Sequence, residues 1–287
     1  MRLNGSSERG FAKSCVLIFL ICTTIGIAAY FFGGTLLQFG RESLMRRNTS
    51  AHYEILCPPW ALSLKSATEF ASEREYLFAR LNKKLGDTAS SAKIRIVFNP
   101  DFSHQQSSQS DMRPYSVTGT TIRSRLDGRI PVLPASADAE ALLRAAWGKP
   151  GNAQLARWTA NWLVGEWRGM EIGMAAAQVE QKAGHKNVAT VLSGPPAGIS
   201  SSDNNDQTLL GAAWISEVAE FGGADAVRKL YSASMPQLSV VEVTKALNTT
   251  PLELDRKWQL WMYAYLAGMP AEQSDSGVNM DMPGKMQ

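Results

Sequence analysis

The sequence predicts an α+β fold. A small N-terminal β-sheet with a long helix leads into a mainly helical half, and one transmembrane helix precedes both. Three observations carry this expectation. Residues 15–39 hold no charged side chain. Strand-like alternation falls only between residues 52 and 133. From residue 135 onward apolar residues recur at helical spacing, with breaks at glycine and proline.

Length and charge bound the rest. A chain of 287 residues has room for one membrane element and one domain with a sizeable core. Its 29 lysines and arginines stand against 26 acidic residues, scattered and without a basic run, so no nucleic-acid partner is expected.

Residues 1–14 are polar and read as a cytoplasmic N-terminal tail. The uncharged run 15–39 is long enough to cross a hydrocarbon core of roughly 30 Å as a helix. A cleaved secretory signal has an apolar core of only about 7–15 residues. Here Tyr30-Phe31-Phe32 prolongs the run beyond Ala28-Ala29, so an uncleaved anchor is expected. Arg41, Arg46 and Arg47 blunt the charge asymmetry across it. The short tail still places the N-terminus in the cytoplasm. The chain then spans the inner (cell) membrane once, with its main domain periplasmic or extracellular. Residues 40–50 read as a linker, 51–270 as the domain and 271–287 as a disordered, Met-rich tail.

Within the domain, residues 52–56 alternate as a short strand closed by Cys57-Pro58-Pro59. Phe70, Leu77, Leu81 and Leu85 make one stripe of a helix over 66–85, and Gly86 ends it. KIRIVF at 93–98 is a half-buried strand, followed by a polar loop at 101–113. Residues 115–125 and 129–133 form a hairpin about Asp127-Gly128. Two helices follow. The first is capped by Ser136 with Asp138 and Glu140 in its first turn, where the helix dipole favours negative charge, and it ends at Lys149-Pro150-Gly151. The second runs over 152–167 with Leu155, Trp158, Trp162 and Leu163 on one face and Arg157, Asn161 and Glu166 off it. Further helices are expected over 172–183, 207–221, 224–234, 239–247 and 250–266. A Gly/Pro/Ser/Asn-rich loop covers 193–206 and Gly222-Gly223 makes a break. Ser239 with Glu242, and Thr250 with Glu253, are capping boxes, the second with Pro251 at the first helical position.

This order resembles the gluzincin metallopeptidases, and more narrowly the bacterial peptidase MA-like domains of thermolysin type. The likeness is carried by KIRIVFNP, the helix pair with RWTANW at 157–162, VAEFGG at 218–223, ALNTTP at 246–251 and RKW at 256–258, over roughly residues 51–268. The resemblance implies His-Glu-x-x-His on the first central helix and a third glutamate ligand on the second. The first central helix here reads ALLRAAW at 141–147 instead, and the third-ligand position falls on Asn161. His52, His104 and His185 are the three histidines, and no two lie four apart. Zinc chemistry of that family needs two imidazoles on one helical face and a glutamate base, so no metal and no cofactor are expected.

Other signals are thin. Ser90 and Lys93 fit Ser-x-x-Lys, though Lys93 opens a strand. No P-loop, nucleophile elbow or dinucleotide fingerprint occurs. His104 sits in a polar loop, and His185 at a helix end where the dipole suits a cation. Glu166 and Glu171 flank Arg168 as a solvated cluster. Cys57 is the lone domain cysteine, read as a buried thiol, and allows neither an internal disulfide nor a cysteine metal site. The resemblance together with the missing ligands implies a membrane-anchored, catalytically inactive peptidase-like domain. It would bind a protein or peptide through a cleft whose candidates are Arg144, Trp147, Arg157, Trp158 and Asn161. The alternative is a hydrolase with a non-zinc or partner-completed active site in the same cleft.

Overall fold

A computed structural model of the chain describes residues 42–61, 63–99, 115–127, 130–131, 133–184, 186–193 and 201–268. The fold is α+β with one mixed sheet followed by helices. The span expected at 15–39, the tail from 271, His104 and His185 lie outside the described residues. Among the described residues no helix is long and apolar enough to cross a membrane. The chain divides into two compact units, residues 1–80 with 91–134 and residues 81–90 with 135–287.

The first unit holds β1 (Arg46–Thr49), β2 (Tyr53–Cys57), most of α1 (Leu64–Lys84), β3 (Ile94–Asn99), β4 (Tyr115–Thr118), β5 (Thr121–Asp127) and β6 (Ile130–Pro131). The sheet order is β1-β2-β3-β5-β4, and β6 also pairs with β5. β2, β3 and β5 run parallel, with β1 and β4 antiparallel at the two ends. Joining β2 to the parallel β3 needs a crossover, which α1 supplies. The period-two alternation sorts the faces. Tyr53, Ile55, Ile94, Ile96, Phe98 and Ile122 are buried on one face. There Phe70 meets Phe98 edge-on at 5.6 Å, and Phe78 meets Tyr53 edge-on at 6.1 Å. The opposite face carries Glu54 beside Arg95, and one row on the buried Leu56 and Val97 with Arg123 beside Val97.

His52 leads into β2. Its ring stacks on Phe78 at 3.9 Å and its Nδ1 lies 2.7 Å from Glu75 Oε2. Glu75 Oε1 accepts from the Ser50 hydroxyl and the His52 amide, both at 2.6 Å. Burial raises the Glu75 carboxyl, but these hydrogen bonds and the imidazole outweigh it and leave the group below the usual carboxylate range.

Several boundaries differ from expectation. Arg46–Thr49 falls in the stretch read as a linker and is β1, paired from Arg46↔Cys57 to Thr49↔Glu54. Its side chains are polar, so no alternation marks it; β2 supplies the ladder. The single strand expected over 115–125 is itself a hairpin, because Gly119 takes a left-handed φ of 57° and Thr118 pairs with Thr121. Asp127 pairs with Ile130, as a hairpin about Asp127-Gly128 requires.

The second unit begins with the last turn of α1, then α2 (Ala135–Trp147), α3 (Ala153–Val164), β7 (Glu166–Trp167), β8 (Met170–Glu171), α4 (Ile172–Ala183), α5 (Val188–Ser193), α6 (Ser201–Ser232), α7 (Val240–Leu247) and α8 (Pro251–Gly268). α2 starts at Ala135, so Ser136 sits inside its first turn rather than ahead of it. Asn152 caps α3 by accepting from Gln154 N at 2.8 Å and Leu155 N at 3.1 Å. The helix expected to reach residue 167 stops at Val164. Gly165 is left-handed there, and Lys84 Nζ donates to the carbonyls of Leu163 and Val164 at 3.1 and 3.4 Å. Arg168 and Gly169, with φ of 53° and 82°, then turn β7 into β8. α6 begins at Ser201, so residues 201–206, expected in a loop, are helical; it kinks at Gly223, within the expected break. Ser239 and Thr250 cap α7 and α8 as their spacing implied, at 3.3 and 3.2 Å from the Glu242 and Glu253 amides. The core is one cluster in which Leu155, Trp158, Ala176, Leu210, Trp214 and Trp258 are buried.

Candidate functional site

α2 carries the first group of interest. Residues 137–143 are all buried, including Asp138 and Glu140. The helix dipole favours these two carboxylates in the first turn and says nothing of burial, and both are buried here. Glu140 Oε1 lies 2.9 Å from an Arg144 guanidinium nitrogen one turn on. A buried carboxylate needs such a partner. Tyr231 of α6 joins them. Its hydroxyl donates to Gly148 O at 3.3 Å and its ring meets Trp147 edge-on at 5.6 Å. Burial drives the Tyr231 hydroxyl well above the usual phenol range, Arg144 opposes this and Glu140 adds to it, so the phenol stays neutral.

Arg144 and Trp147 therefore stand together with Glu140 and Tyr231. Trp158 is a core residue, edge-on to Trp214 at 6.2 Å. Asn161 is tied to its own helix, its Nδ2 donating to Arg157 O at 2.9 Å. Arg157 is half-buried beside it. Among the described residues no hydrogen bond joins Asn161 to Arg144. No set of three His, Cys, Asp or Glu among them is arranged to hold a metal ion. Cys57 is a buried free thiol whose pKa is raised by burial and lowered in part by Arg46.

A second group lies where α4, α6 and α8 meet. Glu217 of α6 is 1% exposed, and its Oε2 has no hydrogen-bond partner. Burial pushes its carboxyl up to about 8, Lys257 opposes and Glu220 reinforces the shift. Glu217 is thus a neutral acid at pH 7. One turn on, Glu220 Oε2 accepts from Trp261 Nε1 at 2.6 Å. Trp261 stacks on Trp258 at 5.9 Å and leans on Tyr265 at 4.6 Å. Tyr265 donates to Glu171 Oε1 at 2.7 Å, and its hydroxyl is pushed up to about 12 by burial and then by Glu171. The ring is seated because residue 173 is glycine; a Cβ there would lie 2.3 Å from it.

No protein-family profile, no curated protein and no solved structure matches this chain.

Sequence reasoning gave Glu140 only a place in a first turn and passed over Glu217 and Tyr231, although Glu140 and Glu217 left a further signal. Glu140 and Arg144 are an i,i+4 pair of opposite charge. Glu217 lies three residues after Trp214 and seven after Leu210, on the apolar stripe of its own helix. A carboxylate on such a stripe marks a buried acid. Tyr231 carried no mark, since its partners come from another helix.

Proposed function

We propose that the chain is a single-pass protein of the inner (cell) membrane, anchored by residues 15–39, with its N-terminus cytoplasmic and its main domain periplasmic or extracellular. The domain is a gluzincin-like, catalytically inactive peptidase relative that binds an extended protein or peptide segment. One observation supports the binding reading: at the positions of the resembled zinc site stand residues that are not zinc ligands and are already engaged within their own helices. Arg144 is held by Glu140 and Asn161 by the Arg157 carbonyl, which leaves neither poised for chemistry. The outer edge of β4 is the place for a guest strand, since among the described residues no strand pairs with it. An extended segment laid there would gain main-chain hydrogen bonds.

A second reading has a specific observation in its favour. Glu217, neutral at pH 7 and one turn from the Glu220 carboxylate, has the ionisation of a general acid beside a base. It would serve a hydrolase that uses no zinc. The two readings part in one experiment. Full-length protein in lipid nanodiscs is mixed with an unfolded, fluorescently labelled casein. Binding without cleavage, together with slowed amide exchange in Tyr115–Thr118, supports the inactive binder. Cleavage that survives chelator and vanishes in Glu217→Gln overturns it in favour of the hydrolase.

A further inference from the structure

We propose that the arginine-bearing face of the sheet is a docking surface for the anionic lipid headgroups of the membrane in which the chain is anchored. The docking follows only if residues 15–39 span the bilayer, as proposed above.

Strand register defines the face. Arg47, Glu54, Arg95, Arg123 and Arg125 lie on the side of the sheet opposite Ile55, Ile96 and Ile122; Leu56 and Val97 share that side and are buried between Arg47 and Arg123, so its open part is the rim at Arg47 and Arg125. Arg95 lies beside Glu54, and Arg123 and Arg125 follow along β5 at period two. Four arginines on this face outnumber its three carboxylates, Glu42, Glu54 and, by the same period at the end of β5, Asp127. Arg47 leads to solvent with 64% of its side chain exposed, and Arg125 is exposed as well. Arg47 and Arg95 both contact Glu54, at 3.0 and 3.3 Å. These pairs hold the guanidinium groups in place and leave the face a net positive charge.

The entry of the chain sets what this face meets. Glu42 is pinned onto the same face: its two carboxylate oxygens lie 3.0 Å from Arg95 and 3.4 Å from Arg123, and its side chain is only 10% exposed. Residue 39 closes the uncharged run. Three Cα steps separate it from Glu42, at most about 11 Å even when fully extended. The tether thus holds the bilayer surface within roughly one to two Debye lengths of Arg95 and Arg123, a range over which attraction to anionic lipid acts and weakens as salt rises. Leu44, 77% exposed beside the pinned Glu42, is an apolar side chain placed to enter the interface. A short tether, a pinned entry point and a basic face at that point together select a lipid surface over a diffusing partner.

The test uses the full chain with Cys15→Ala and Cys22→Ala, Cys57 being buried. A donor dye is placed either at Thr49→Cys, on the arginine face, or at Tyr76→Cys, on α1 over the opposite face. Energy transfer to a headgroup acceptor is measured in nanodiscs with and without phosphatidylglycerol. The expected result is stronger transfer from position 49 than from 76. The transfer from 49 rises with phosphatidylglycerol, and salt or the double variant Arg47→Gln/Arg125→Gln reverses the rise. A chain that does not enter the discs at all removes the anchor itself. A chain that enters them, yet gives equal transfer from both positions whatever the lipid charge, overturns the docking while leaving the anchor intact. Displacement of the position-49 dye from anionic discs by a DNA or RNA oligonucleotide would also overturn it.

Discussion

Gly211 of α6 lies so close under the indole of Trp158 that a Cβ there would stand 2.0 Å from its Cε2. No real Cβ tolerates that distance, and the ring also meets Trp214 edge-on at 6.2 Å. Glycine in a helix interior costs about 1 kcal/mol relative to alanine, so in open space Gly211→Ala would stabilise. Here the clash decides the sign. Gly211→Ala is expected to destabilise the fold by about 1–3 kcal/mol through overpacking. Because the loss comes from one contact, Trp158→Phe should cost less in the Gly211→Ala background than alone. Urea denaturation of the four chains measures that coupling. Additive losses would mean the two residues do not share the contact.

Trp258 carries a different kind of load. It is buried, and its Nε1 donates to Lys186 O at 2.9 Å. Trp258→Ala opens a cavity and leaves that carbonyl unpaired, so a loss of about 3–5 kcal/mol is expected. Trp258→Phe keeps most of the volume and separates the two terms. A thermal shift near zero for Trp258→Ala would contradict the buried placement.

The parts of this fold that were legible in sequence are those set by local period and by chain-breaking residues. Of the α3 stripe Leu155, Trp158, Trp162 and Leu163, all but the half-buried Trp162 are buried as the spacing requires, and the caps at Ser239 and Thr250 form as their side-chain spacing requires. What was illegible depends on partners remote in sequence. β1 is RRNT and has no pattern of its own; only pairing with β2 makes it a strand. The end of α3 at Val164 needs Lys84, eighty residues away, to take up the last carbonyls. Asp138 and Glu140 are marked in sequence only as first-turn acids, and their burial depends on packing that the local sequence does not show. The candidate residues therefore divide by environment: Arg144 and Trp147 gained Glu140 and Tyr231 as partners, while Trp158 went to the core.

Membrane attachment and metal dependence are checked together. Membranes from expressing cells, washed with alkaline carbonate, should retain the full-length chain, since an apolar run of this length as a helix resists extraction. An N-terminally trimmed soluble species would contradict the uncleaved anchor. The protein extracted in detergent should keep its melting temperature in excess EDTA, because a structural zinc site removed by chelator would take much of the stability with it. A fall in melting temperature that added zinc reverses would demand a metal site and a new alignment of the central helices.

The pH dependence of stability should report Glu217. In the unfolded chain its carboxyl titrates near 4.5, and in the fold burial lifts it to about 8. Between those values the folded chain holds a proton that the unfolded chain has released. Stability therefore falls as pH rises through this window, by at most about 1.4 kcal/mol per pH unit from this group, and levels off above the folded value. Lys257 limits the shift and Glu220 adds to it, so Glu220→Gln should move the upper end of the window down. Glu217→Gln keeps the shape and cannot ionise. It should flatten the slope between pH 5 and 8 and, at pH 8.5, be more stable than the parent, whose charge is then buried among apolar neighbours. Glu75 works in the opposite sense. Its folded value is depressed, so its contribution is present above the ordinary carboxylate range and is lost as pH falls. Urea midpoints taken from pH 4 to 9 for the parent, Glu217→Gln and Glu75→Gln separate the two groups. A parent curve that stays as flat as that of Glu217→Gln between pH 5 and 8 would mean that Glu217 is solvated and ionised at neutral pH. The general-acid reading would fall with it.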